Sequence, residues 1–160
     1  MFRYHQHSRR ACGTWLLMAV VLYLANAQIA VAEENHYYSS DGVAIEGYDP
    51  VAYFTQSAAQ LGSSRYSYKW GGTTWNFISA ANREAFIANP EGYAPQYGGY
   101  CAWAAANNYI FEIDPKAFSI HNNRLYLNAG FGTRVRWALD KDGNISKADK
   151  NWPELRTRLH

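Results

Sequence analysis

Apolar and polar residues alternate most clearly between Arg65 and Phe77. Tyr66, Tyr68 and Trp70 recur at every second position, Thr73, Trp75 and Phe77 do so again, and Gly71-Gly72 separates the two runs. Period-two alternation broken by a glycine pair predicts a β-hairpin. Ser79 follows as a helix cap and Pro90 as a stop, predicting a helix through about Asn89. On it Ile78, Asn82, Ala85 and Phe86 share a face at helical spacing. Upstream, Asp49-Pro50 in "AIEGYDPVAYF" supplies an N-cap and a first-position proline, the start of a short helix. Residues 55–64, rich in Ser, Gln and Gly, read as a loop. Gly98-Gly99 leads into a second helical stretch from Tyr100 to about Asn107. "FEID" and "AFSIH" are strand-like, and Asn122-Asn123 fits a tight turn into "RLYLN". Residues 131–140 and 145–151 predict two closing helices with "DKDGN" between them. The pattern predicts an α+β fold: a small single domain of β-hairpins packed with short helices, without alternating β-α-β units.

The first residues change the picture of charge and location. Arg3, Arg9 and Arg10 precede a stretch to Ala32 without a single charge, whose most apolar part is Trp15 to Ala25. That is the layout of a signal peptide, with small-x-small cleavage patterns ending at Ala27 and at Ala32. The expectation is therefore export, periplasmic or secreted, through the Sec route more than Tat. An anchor needs about 20 mostly apolar residues, so retention as an N-terminal anchor is the alternative. The whole chain has 15 basic and 13 acidic residues. Removing the three arginines leaves twelve against thirteen, and the apparent basicity goes with them. No footprint for nucleic acid remains, and no membrane partner is expected after cleavage. Cys101 is then the one remaining cysteine, which excludes an intramolecular disulfide framework. Trp70, Trp75, Trp103, Trp137 and Trp152 supply a ring-built core.

The blocks "GYDPVAYF", "WNFISAANREAF", "PEGYAPQYGGYCA", "FEIDPKAFSIHNNRLYLN" and "ADKNWP" resemble an exported YHS-domain protein, in consistent order over residues 43–153. The resemblance implies a treble-clef-derived core in 33–160. It also implies a comparison with shorter YHS modules, whose three cysteines hold a metal. Those positions here are Ala52, Ile78 and Asn82. Positions 78 and 82 stand i, i+4 on one helix face, where two thiolates could converge. Alanine and isoleucine cannot ligate, and an asparagine carbonyl suits soft metals poorly. The expectation is that the frame survives as a packed apolar contact. No cofactor is expected, and a metal ion has no support from these residues.

Candidate chemistry is sparse. Cys101 has two readings: a thiol in the first turn of a helix, activated by the dipole, or a small hydrophobe among alanines. The histidines of the mature part are His36, His121 and His160. A pair of His121 with Cys101 would resemble a thiolate-imidazole dyad, but no spacing joins them. Asp49, Asp114 and Asp149 each have a cap, turn or helix-surface role available. Tyr93, Tyr97 and Tyr100 surround the glycine pair, with Tyr48 and Tyr53 in the other block, and read either as pocket lining or as core. No nucleophile elbow, phosphate loop or His-x-x-x-His helix occurs. These observations point to a non-enzymatic binding module for an unknown small ligand, a metal ion or an exported protein partner, with Asp49, Tyr97, Tyr100 and Cys101 as candidate contacts. A thiol-dependent redox protein or enzyme built on Cys101, and a structural or partner-docking domain, are the alternatives.

Overall fold

Gly71 and Gly72 take φ angles of 59° and 77°, the left-handed pair that a two-residue hairpin turn requires. In the computed structural model, which describes residues 37–159, they join β3 (Ser63–Trp70) to β4 (Thr73–Phe77) as expected. The export segment with its cleavage positions, His36 and His160 lie outside the described residues. Along β4, Thr73, Trp75 and Phe77 are buried and the residues between them are not. The Trp75 indole donates across the hairpin to the Trp70 carbonyl at 3.0 Å. Two short strands extend this sheet, β1 (Ser39–Ser40) and β2 (Val43–Ala44). The order is β1-β2-β4-β3, with β2 parallel to β4 and the other pairs antiparallel.

The short helix α1 (Ala52–Thr55) follows the Asp49-Pro50 cap. Helix α2 (Ala80–Ala88) begins on Ser79, whose hydroxyl accepts from Asn82 N at 3.1 Å. Asn89 then caps the single turn α3 (Pro90–Tyr93). Phe86 of α2 packs against Trp70, Trp75 and Phe77. Fully burying rings of this size contributes roughly 1.5–3 kcal/mol each, so this knot of rings fastens α2 to the sheet.

A second hairpin, β5 (Asp114–His121) and β6 (Arg124–Asn128), turns at Asn122 and Asn123, both with positive φ. "FEID" is strand only at its last residue. Helix α4 (Ala102–Ala106) precedes this hairpin, and α5 (Phe131–Leu139) and α6 (Lys141–Arg156) follow it. The "DKDGN" loop is a correction: only Asp140 breaks the helices. Its carboxylate accepts from Gly143 N at 3.0 Å and starts α6 at once. Strand β6 divides the interior. Leu125 and Leu127 enter the core with Trp75 and Phe86, while Tyr126 joins Tyr97, Trp137, Ala148 and Leu155 on the other side. Helix α4 divides likewise, with Ala104 on the first side and Ala102, Ala105 and Ala106 on the second. The alanines allow α6 close approach, and Asn151 donates to the carbonyls of Ala105 and Ala106 at 3.0 and 3.3 Å.

Candidate functional site

The three positions where the resemblance places cysteines do converge, and a carboxylate is what they meet. Asp49 is 0% exposed. One of its oxygens accepts from Val51 N at 2.8 Å and Ala52 N at 3.2 Å, the local cap predicted from Asp-Pro. The other accepts from Ile78 N at 2.8 Å and from the Asn82 side-chain amide at 2.7 Å. Asp49 thus ties the start of α1 to the end of β4 and to the first turn of α2. The expected apolar contact is corrected to a polar one. Ala52 and Ile78 contribute backbone N–H groups, Asn82 its amide, and both Asp49 oxygens are satisfied. Four donors on one buried carboxyl make a cross-link between elements, and Asp49 lines none of the cavities described below. What the geometry gives Asp49 is this structural tie between α1, β4 and α2.

Cys101 also differs from its expected setting. Helix α4 starts at Ala102, so the thiol sits on the residue before the helix and caps nothing. Cys101 is 1% exposed. Its backbone N–H donates to the Phe111 carbonyl at 3.0 Å, and its Sγ accepts from Ala129 N at 3.3 Å. It lies at the wall of a cavity of about 190 Å³, with Trp103, Ala104, Tyr109, Phe111, Ala129 and Thr133. His121 is engaged elsewhere, its Nε2 2.8 Å from an Asp142 oxygen, so the two do not form a dyad. Among the described residues no three His, Cys, Asp or Glu side chains gather as a metal would require.

The glycine pair builds a different site. Tyr97, Gly98 and Gly99 take φ angles of 55°, 58° and 78° in succession. A Cβ on Gly99 would lie 3.1 Å from both Ile45 Cγ2 and Pro95 Cγ, so both the conformation and the close approach call for glycine. This turn leaves Tyr97 buried with its ring near Tyr126 and Trp152. Its hydroxyl donates to an Asp149 oxygen at 2.9 Å. Burial first, then the Asp149 carboxylate, holds the Tyr97 phenol well above the ordinary tyrosine range. The pair forms one wall of an open cleft of about 520 Å³, which Glu91, Gln96, Arg124 and Trp152 also line. Pro153, at the cleft edge, has no N–H to give the Asp149 carbonyl.

Of the four candidates, Tyr97 alone lines this cleft. Tyr100 is half-buried beside it, its ring between Tyr38 and Trp152. Cys101 faces the other cavity and Asp49 the cross-link, so the candidates are not one site. The sequence reading missed Glu91, Arg124 and Trp152 and gave Asp149 only a helix-surface role. Their one local signal is the pair Asp149 and Trp152, three apart on a helix; Tyr97 meets them from 52 residues upstream. No family model, no curated protein and no solved structure matches this chain.

Proposed function

We propose that this chain is an exported YHS-like binding module that captures a small zwitterion in the Tyr97 cleft without transforming it. The observation that carries the reading is the cleft's mixed lining. Glu91 and Asp149 suit a cationic end, Arg124 an anionic end, and the rings of Trp152 and Tyr37 an apolar body between them. A buried, hydrogen-bonded Tyr97 fixes the Asp149 carboxylate in advance, which lowers the ordering cost of binding. The YHS reading draws support from the way positions 52, 78 and 82 meet on Asp49, next to a hairpin followed by a helix. A treble-clef-derived frame that had exchanged its metal for a carboxylate would have this form. Thiol chemistry has less support, because the Cys101 sulfur is buried and already accepts from Ala129 N.

Calorimetry with a panel of amino acids and betaines tests it, with acetate and tetramethylammonium as single-charge controls. Binding by zwitterions that weakens about tenfold or more in Arg124→Ala is the expected result, the loss of one charge-assisted contact. Equal affinity for the single-charge controls, or indifference to Arg124→Ala, would sink the proposal.

A further inference from the structure

Helix α5 presents an unusual face to solvent. Its inward residue, Trp137, is fully buried. Its outward stripe consists of Phe131, Val135 and Leu139, which are 72%, 42% and 81% exposed. Spaced i, i+4, i+8, they stack along one line of the helix, and Ala138 is exposed beside them. No acidic residue occurs between Phe131 and Leu139. At 100° per residue, Arg134 and Arg136 fall on opposite flanks of the stripe. The Arg134 guanidinium lies 5.7 Å from the Phe131 ring centroid, and that of Arg136 lies 5.3 Å from the Trp103 ring centroid. Neither is ion-paired to a carboxylate among the described residues, and Asp114 and Lys116 line a shallow cavity together with Phe131 and Arg134. Single exposed apolar residues are ordinary, but three large ones in line, flanked by two cations that form no ion pair, are the pattern of a contact surface.

We propose that α5 rests on an anionic phospholipid surface, with Phe131, Val135 and Leu139 in the headgroup boundary and Arg134 and Arg136 on lipid phosphates. Charge selects this occupant. An apolar stripe alone would suit a second copy of the chain. Pairing two copies through the same stripe, however, would bring four guanidinium groups to one seam with no acid on either helix. An anionic layer answers both arginines at once. The nine residues of α5 span about 14 Å, which fits a helix lying on a bilayer. Among the described residues no helix is long and apolar enough to cross one. None of the stripe residues lines the Tyr97 cleft, so the contact is independent of ligand capture. It runs counter to the expectation that the chain, once cleaved, has no membrane partner, and the experiment below decides between them.

Vesicle co-sedimentation of the full chain tests this, with phosphatidylglycerol–phosphatidylcholine vesicles compared with phosphatidylcholine alone. The Phe131→Ser/Leu139→Ser and Arg134→Gln/Arg136→Gln pairs would be run beside the wild type. Phe131, Arg136 and Leu139 are exposed and Arg134 is half-buried, and circular dichroism with thermal melts checks that the variants fold. Each pair of substitutions is expected to lower partitioning onto the anionic vesicles about tenfold or more, with high salt weakening the wild type similarly. Since any N-terminal apolar segment is common to all forms, differences among them report on α5. Equal partitioning of wild type and variants overturns the proposal. So does equal binding to neutral vesicles, or a wild-type dimer that the Phe131→Ser/Leu139→Ser form loses.

Discussion

Replacing Asp49 removes one acceptor group from four donors at once. In Asp49→Ala the N–H groups of Val51, Ala52 and Ile78 and the Asn82 amide lose their partner, and the carboxyl they surrounded is 0% exposed. An unmet buried donor costs about 1–3 kcal/mol, less where water follows it in. With the 3.2 Å bond to Ala52 counted low, the loss comes to about 5 kcal/mol. That rivals the whole stability of a small domain, about 5–15 kcal/mol, so a gentler cycle is more informative. Asp49→Asn keeps the shape but has one oxygen to offer. Its NH₂ must then face a pair of donors, at a cost of about 3 kcal/mol. Asn82→Ala alone removes one charge-assisted bond, about 1.5 kcal/mol. In the Asp49→Asn background the same change removes an opposing donor and costs almost nothing. Urea unfolding of the four forms with linear extrapolation would therefore give a coupling of about 1.5 kcal/mol. Additivity within about 0.5 kcal/mol, the behaviour of unconnected sites, would refute the cross-link.

Burial, with Glu91 and Glu46 as lesser causes, pushes the phenols of Tyr37 and Tyr38 from 10.0 up to about 12. Raised folded values mean full stability below pH 10 and progressive loss as pH climbs to 12. Tyrosinate absorbance and urea midpoints across that window check this, and a flat stability profile contradicts it. Cys101 should resist thiol reagents in native buffer and react in step with unfolding; labelling at a free-thiol rate would show an open site. Gly99→Ala forces a left-handed alanine against Ile45 and Pro95 and is expected to cost about 1–2 kcal/mol, read as a lower melting temperature. An unchanged melt would mean that the turn relaxes freely.

Local signals carried much of the architecture. Alternation around Gly71-Gly72, the Ser79 cap and the Asn122-Asn123 turn each fix a short piece of chain, and each is present in the fold. The Asp49 cap was legible through its first oxygen, whose partners lie two and three residues away. Its second oxygen was not, because Ile78 and Asn82 lie 29 and 33 residues on. Tyr97 and Asp149 illustrate the same limit, since neither residue has a local pattern naming the other. The outward face of α5 escaped for a related reason. Periodicity predicts a helix, but which side meets the core depends on where Trp137 is buried. "DKDGN" misled because Asp and Gly are common loop residues, whereas here Asp140 acts as a cap and Gly143 N is its donor.

Amide chemical-shift mapping on a single labelled sample tests the central claim, that Asp49 closes a carboxylate cross-link at positions 52, 78 and 82 and binding has its place at the Tyr97 cleft. Zinc would be added first, and after its removal the tightest zwitterion of the panel. The account predicts that zinc leaves the amides of Val51, Ala52 and Ile78 in place. It predicts that the zwitterion shifts Gln96, Tyr97, Gly98, Arg124, Asp149 and Trp152. Zinc-induced shifts at positions 49–52 and 78–82, or ligand shifts confined to the Cys101 cavity, would contradict it.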